Sequence, residues 1–313
     1  MPTVFRWNIA RREQLGRLVG PEPAEVHPAV LEELRLCCAR VIAMAGDARL
    51  VFIGRSSEQL YDYLTGAFAD TSWSSRAALL NVSLKTGPPD WVEPDPAVYV
   101  GLREQFAGHR LDPHAIATSP HPVALIDLIY AGETFGKLTG FLISWSRDAG
   151  VDWRAVRRRV RIVGITERQT HGPRTWRWRT LEWAAQYRRS SLKGVSIPYW
   201  FWTYLGDSEK KVSRANPPAR WGDQEMERPP RGEDFKEALR TAVALHALGR
   251  TRAERDALAA ALSVQPSVRD AWCRRLAAEL RAAGRPKQIE RTFASKYRIR
   301  SRRRTMRWSS AWR

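Results

Sequence analysis

HPVALIDLIYAGETFGKLTGFLISW, residues 121–145, is the stretch whose reading decides the fold. Val123 to Ile129 read as a strand, apolar at every position but Asp127. Tyr130 to Thr134 read as a turn, and Phe135, Leu138, Leu142 and Trp145 then mark one face of a helix. The same order occurs upstream in ARLVFIGRSSEQLYDYLTGAFA. There Leu50 to Ile53 predict a strand, Gly54 and Arg55 a turn, Ser56 with Gln59 a capping box, and Leu60, Tyr63, Leu64, Ala67 and Phe68 a helix face. AALLNVSL (77–84) and RIVGIT (161–166) predict two more strands and AVYVGLREQF a short helix. SIPYWFWTYLG (196–206), with five aromatics between Tyr199 and Leu205, predicts a last strand packed on both sides. Strands alternating with helices give the α/β class with a mainly parallel sheet.

Around this centre the chain divides by composition. Residues 1–27 form an N-terminal extension. In PAVLEELRLCCARVIAMAG, Pro28 suits a first helical position and Gly46 a stop, so Cys37 and Cys38 read as packing residues. The α/β domain is expected over 28–222 and a polar, Pro-rich hinge over 223–232. A three-helix appendage follows over 233–284, with capping boxes at Thr251/Glu254 and Ser267/Asp270, and then a basic tail over 285–313. The 313 residues are 43% hydrophobic and 27% charged, an ordinary globular composition. No run approaches the roughly 20 apolar residues of a membrane span. MPTVFRWNIARR lacks the apolar core of a secretory signal, so the expected location is the cytoplasm. Three cysteines without CxxC spacing argue against a disulfide framework or a structural zinc site.

Charge is the compositional anomaly. Fifty-two Lys and Arg against 33 Asp and Glu give +19, enough to imply an acidic partner. The tail from Arg285 to Arg313 holds eleven Lys/Arg and one acid, and residues 151–193 hold twelve and three. Both stretches interleave arginine with aromatics. Arginine holds phosphate and aromatic faces stack on bases, so the mixture suits single-stranded or structured RNA or DNA, with Arg302, Arg303, Arg304, Arg307 and Trp308 as tail contacts. A solvated tail and a solvated helix face are the plainer alternative.

In a parallel α/β sheet, ligands sit beyond the C-terminal strand ends. Two loops there have anion chemistry: Gly54, Arg55, Ser56 and Ser57 after one strand, and Tyr130, Ala131, Gly132, Glu133 and Thr134 after another. Each opens a helix, whose free amides and dipole favour phosphate. Asp127 ends the strand that feeds the second loop, placed to accept from sugar hydroxyls. GxSxG, P-loop and HExxH motifs are absent, which removes the obvious hydrolase, nucleotide triphosphatase and zincin readings. His109, His114 and His121 are irregularly spaced without a carboxylate cluster, a poor metal set.

ALIDLIYAGETF resembles the PRPP-binding motif of type I phosphoribosyltransferases: an apolar strand, an acid, two apolar positions, then a small-Gly-x-Thr loop. The resemblance implies that residues 130–134 wrap the 5′-phosphate of phosphoribosyl pyrophosphate (PRPP) and that Asp127 faces the ribose hydroxyls. It also implies that GRSS binds pyrophosphate and that Lys85 lies near it. The Pro-rich stretch after Lys85 would close over the reaction. The implied chemistry is displacement of pyrophosphate from C1 of PRPP by a nitrogen nucleophile, with Mg²⁺ accompanying PRPP and held by Asp127 only through water. Asp127 and Lys85 are then the catalytic candidates. The resemblance spans roughly 28–205. It departs from the family at Ile126, where the first of two adjacent acids usually stands. The alternative is a catalytically weakened module of the same fold that senses a nucleotide and grips RNA or DNA through its C-terminal regions.

Overall fold

Five parallel strands make one sheet among the described residues: β1 (Arg49–Ile53), β2 (Ala77–Leu80), β3 (Val123–Leu128), β4 (Val160–Glu167) and β5 (Leu192–Ile197), in the order β2-β1-β3-β4-β5. All four pairings are parallel. The structure is a computed structural model that describes residues 4–20, 24–84, 96–168 and 177–283. Lys85 and the Pro-rich stretch after it, most of THGPRTWRW, and the basic tail with Arg302, Arg303, Arg304, Arg307 and Trp308 lie outside the described residues.

Alternation along the strands sends side chains to two separate cores. Leu50, Phe52, Ala124, Ile126, Val163 and Ile165 face α1 (Pro28–Ala45) and α2 (Glu58–Phe68). Val51, Ile53, Leu125 and Ile162 face the opposite layer. That layer comprises α3 (Pro96–Gly108), α4 (Pro113–Thr118), α5 (Glu133–Asp148) and α6 (Trp153–Arg159). Both sets are nearly fully buried, which is why these strands read as apolar runs rather than alternating ones. The α/β class with a parallel sheet therefore holds.

The C-terminal helices α8 (Glu233–Arg250), α9 (Arg252–Ser263) and α10 (Ala271–Ala283) pack into the first of these cores, with Leu245, Leu258 and Leu276 beside α1 and α2 side chains. Helices α2 and α8 approach backbone to backbone. A β-carbon at Gly66 would lie 2.0 Å from the His246 carbonyl oxygen. The thiols of Cys37, Cys38 and Cys273 are free and buried, as packing residues are. No helix among the described residues is long and apolar enough to cross a membrane.

Three local expectations fail. The aromatic run after β5 is not a strand. Pro198 cannot donate to a ladder and fits instead at a helix start. Tyr199–Thr203 accordingly form α7, which runs into a π-type turn over Tyr204–Ser208. Ser56 and Gln59 make no capping box: Ser57 is the cap residue, its hydroxyl donates to the Ile53 carbonyl (3.0 Å), and the Gln59 amide reaches the Tyr204 hydroxyl instead. Ser267 and Asp270 make none either, because Asp270 directly precedes α10 and the Ser267 hydroxyl points to Cys273 Sγ (3.6 Å). At Thr251 the cap forms, its hydroxyl accepting from the Glu254 amide at 3.3 Å.

Candidate functional site

The strand order reverses direction between β1 and β3: the chain leaves β1 toward β2 and returns past it to β3. The loops leaving these two strands therefore diverge and open a crevice at their C-terminal ends. The GRSS and YAGET loops are those two loops, so the structure brings together the two anion-loop candidates that the sequence separates by about 75 residues.

The loop after β3 is built around Gly132, whose φ of +86° a β-carbon would strain. That β-carbon would also lie 3.0 Å from Trp178 Cβ and 3.2 Å from Leu181 Cδ1. Helix α5 starts at Glu133, and the Gly136 amide reaches back to the Gly132 carbonyl (3.1 Å). The amides of the first turn have no acceptor within the helix, as at any helix start. Glu133 is exposed, Ala131 is exposed, and Tyr130 is 90% exposed. Asp127 lies beneath, 8% exposed, one oxygen accepting from the Leu128 amide (2.8 Å) and the carboxyl hydrogen-bonded by Thr134. Burial pushes its pKa up to about 8, against the opposing pull of these bonds and of the Lys211 charge. Burial thus favours the neutral form of the Asp127 carboxyl.

The loop after β1 differs. Gly54 holds φ +68°, with its amide on the Leu80 carbonyl (2.8 Å). Arg55 makes no side-chain hydrogen bond or ion pair among the described residues and is only partly buried. Helix α2, however, opens on buried carboxylates. Glu58 accepts from the Val212 amide (2.9 Å) and faces Arg6 (3.4 Å), which also pairs with Asp62. Burial pushes Asp62 up to about 6 despite Arg6. Burial also pulls the Arg6 guanidinium down, but the Asp62 and Glu58 charges outweigh that and hold it above its ordinary range.

The missing partner in the sequence reading is residues 209–217, a strap without helix or strand that runs past the start of α2 and the chain leaving β2. Val212 is held by Glu58, the Arg214 carbonyl accepts from Asn81 (2.9 Å), and the Asn216 carbonyl accepts from the Ser83 amide (2.9 Å). These contacts draw the chain out of the sheet after Leu80, so β2 ends four residues earlier than AALLNVSL predicts. The strap carries Lys211, paired with Glu209 and donating to the Leu205 carbonyl (2.6 Å), near enough for its charge to act on Asp127. Burial pushes Glu209 up to about 8, with Lys211 opposing. EKKVSRANPP has no helical or strand period, so only its charge was visible.

On the rim, the Tyr130 ring stands 6.2 Å from that of Trp202, tilted by 41°. Tyr199 and Trp200 are 64% and 46% exposed on the same helix as Trp202. By contrast Trp178, from the arginine- and aromatic-rich stretch 151–193, is buried and stacks on Trp183 (6.0 Å, 8°) in the core over α5. Ile126, at the position of the missing acid, is fully buried in register with Phe52. No group of three or more His, Cys, Asp or Glu suited to a metal occurs among the described residues, the histidines 109, 114 and 121 included. Comparisons with protein-family models, with curated proteins and with solved structures give no match.

Proposed function

We propose that the crevice between β1 and β3 binds a phosphorylated ribose, PRPP in the first instance, and that the chain transfers its phosphoribosyl group to a nitrogen acceptor. The observation that carries this reading is the convergence of two positive-φ glycine loops, each opening a helix, at the point where the strand order reverses. In this reading the first-turn amides of α5 and the Thr134 hydroxyl hold the 5′-phosphate. Arg55, Ser56 and Lys211 hold the pyrophosphate, and Asp127 contacts the ribose hydroxyls. The exposed Tyr130 ring, with the partly buried Trp202 ring beside it, gives an aromatic acceptor a surface to stack on. In the reaction the C1–O bond breaks with its electron pair leaving on pyrophosphate. The acceptor nitrogen's lone pair forms the new bond at C1, and its proton passes to water. The protein's part is positioning and stabilisation of the departing charge.

Mg²⁺ in this reading is a companion of the pyrophosphate. Asp127 stands without a second carboxylate, since Ile126 belongs to the core, and burial favours its neutral form, so the chain's own donors do not fit a protein-held divalent ion. The same two facts favour a second reading, in which the crevice binds a nucleotide or phosphorylated sugar without turning it over. Pyrophosphate release from Mg–PRPP in the presence of nucleobases and amines separates the two. Transfer predicts release that rises with pH through about 8, as Asp127 ionises. Saturable binding without release at any pH leaves the sensing module.

A further inference from the structure

At the opposite end of the sheet, before β4 and β5 begin, lies a surface with a different chemistry. Helix α6 carries Arg154, Arg157, Arg158 and Arg159, and the turn leading to β5 carries Arg188 and Arg189. The two segments are joined: the Arg157 guanidinium donates to the Gln186 carbonyl (3.0 Å), and the Trp153 and Tyr187 rings meet edge to face at 5.8 Å. Arg154, Arg158, Arg188 and Arg189 are exposed, and none of the six has an acidic partner among the described residues. Two of the acids nearest in sequence already have partners, and Glu182, six residues before Arg188, is exposed. Asp152 caps α6 by accepting from the Arg154 amide (2.9 Å), and Asp148 pairs with Arg103.

We propose that this arginine surface binds the phosphate backbone of double-stranded nucleic acid without reading its sequence. The proposal is independent of the β1/β3 crevice. All six cations are arginines, whose planar forks match phosphate oxygens. The aromatics that alternate with them along the chain are turned inward. Tyr187 is buried with its hydroxyl 3.2 Å from that of Thr139, and Trp183 packs against Phe135 and Gly136. The rings of Trp183 and Tyr187 are thus engaged in packing rather than presented for base stacking. What remains is charge on a rigid face, and a duplex offers the denser line of phosphates, one per roughly 1.7 Å of axis.

The test is fluorescence anisotropy of the full chain with a labelled duplex DNA of arbitrary sequence and with its single strand, across a salt series. The comparison variant is the triple substitution Arg154→Glu, Arg158→Glu, Arg189→Glu, which spares Arg157 and its bond to Gln186. Its folding is checked by a thermal melt matching the parent. The proposal predicts tighter binding of duplex than of single strand, and equal affinity for unrelated duplex sequences. The triple variant is predicted to lose at least about 10-fold in affinity, with a log–log salt slope shallower by about three. A single strand bound more tightly, poly-glutamate competing as well as duplex at equal charge, or a folded triple variant with unchanged affinity and slope would each overturn it.

Discussion

The two loops at the crevice carry the same sequence signal and reach opposite electrostatic outcomes. Each follows an apolar strand, turns on a positive-φ glycine, and places a glutamate at the first helical position. At α5 that glutamate, Glu133, is exposed, and the helix start is open to a ligand. At α2 it is Glu58, buried and already accepting the Val212 amide, with Asp62 one turn on and Arg6 between them. The α2 dipole is therefore complemented from within, and in the proposed reading anion binding at that loop falls to the Arg55 and Lys211 side chains. A helix N-terminus alone does not say whether a ligand or the protein's own carboxylate completes it.

The largest effect that probes this contrast is removal of Arg6. Arg6→Met leaves Glu58 and Asp62 buried without their cation, and urea denaturation is expected to show a loss of about 3–5 kcal/mol. A loss below about 1 kcal/mol would mean that the α2 carboxylates are not held by this pair. Next come the glycines. Gly132→Ala meets both a disfavoured φ and the Trp178 and Leu181 side chains, for an expected cost of about 2–3 kcal/mol. Gly54→Ala meets only the Val82 carbonyl at 3.3 Å and is expected to cost about 1–2 kcal/mol. Equal costs would break the asymmetry between the loops.

A smaller, pH-dependent effect isolates Asp127. Its pKa is raised on folding to about 8, so the native state holds a proton that the unfolded chain releases near pH 4. Stability contributed by the protonated acid is present at low pH and lost as pH rises toward 8. Glu209 and Asp62 act in the same sense over windows ending near 8 and 6. Asp127→Asn should therefore melt like the parent near pH 4 and progressively above it between pH 5 and 8. A parallel pair of curves would remove the buried acid from the account. The smallest expected changes are at the surface. Arg55→Ala and Glu133→Gln should leave the melting temperature unchanged. The first should weaken binding of inorganic pyrophosphate several-fold, and the second should tighten anion binding modestly.

How much of this was legible in the chain follows from where order is local. Val123–Ile129 and Leu50–Ile53 declared themselves because strands buried on both faces need apolar side chains at nearly every position, Asp127 being the one exception. The two strand-to-helix turns were visible because glycine at a strand end supplies the positive φ that such a turn needs. The aromatic run at 199–205 misled because β propensity and helical aromatic packing use the same residues, and Pro198 was the sign that outweighed them. The strap that carries Lys211 near Asp127 has no period to read. Its position depends on Glu58, Asn81 and Ser83, each more than 125 residues away in the chain. The inward turn of Trp178, Trp183 and Tyr187 was likewise hidden. The spacing of Gly132 and Gly136 along α5, which lets large rings approach, was the signal for it.

The central claim is that the β1/β3 crevice is a binding site for a phosphorylated ribose, and calorimetric titration of Mg–PRPP tests it most directly. The parent protein is expected to bind saturably at one site per chain. Asp127→Ala should weaken that binding by about tenfold or more through the ribose, and Arg55→Ala several-fold through the pyrophosphate. Absence of binding to the folded parent, or binding that neither substitution changes, would contradict the assignment of the site.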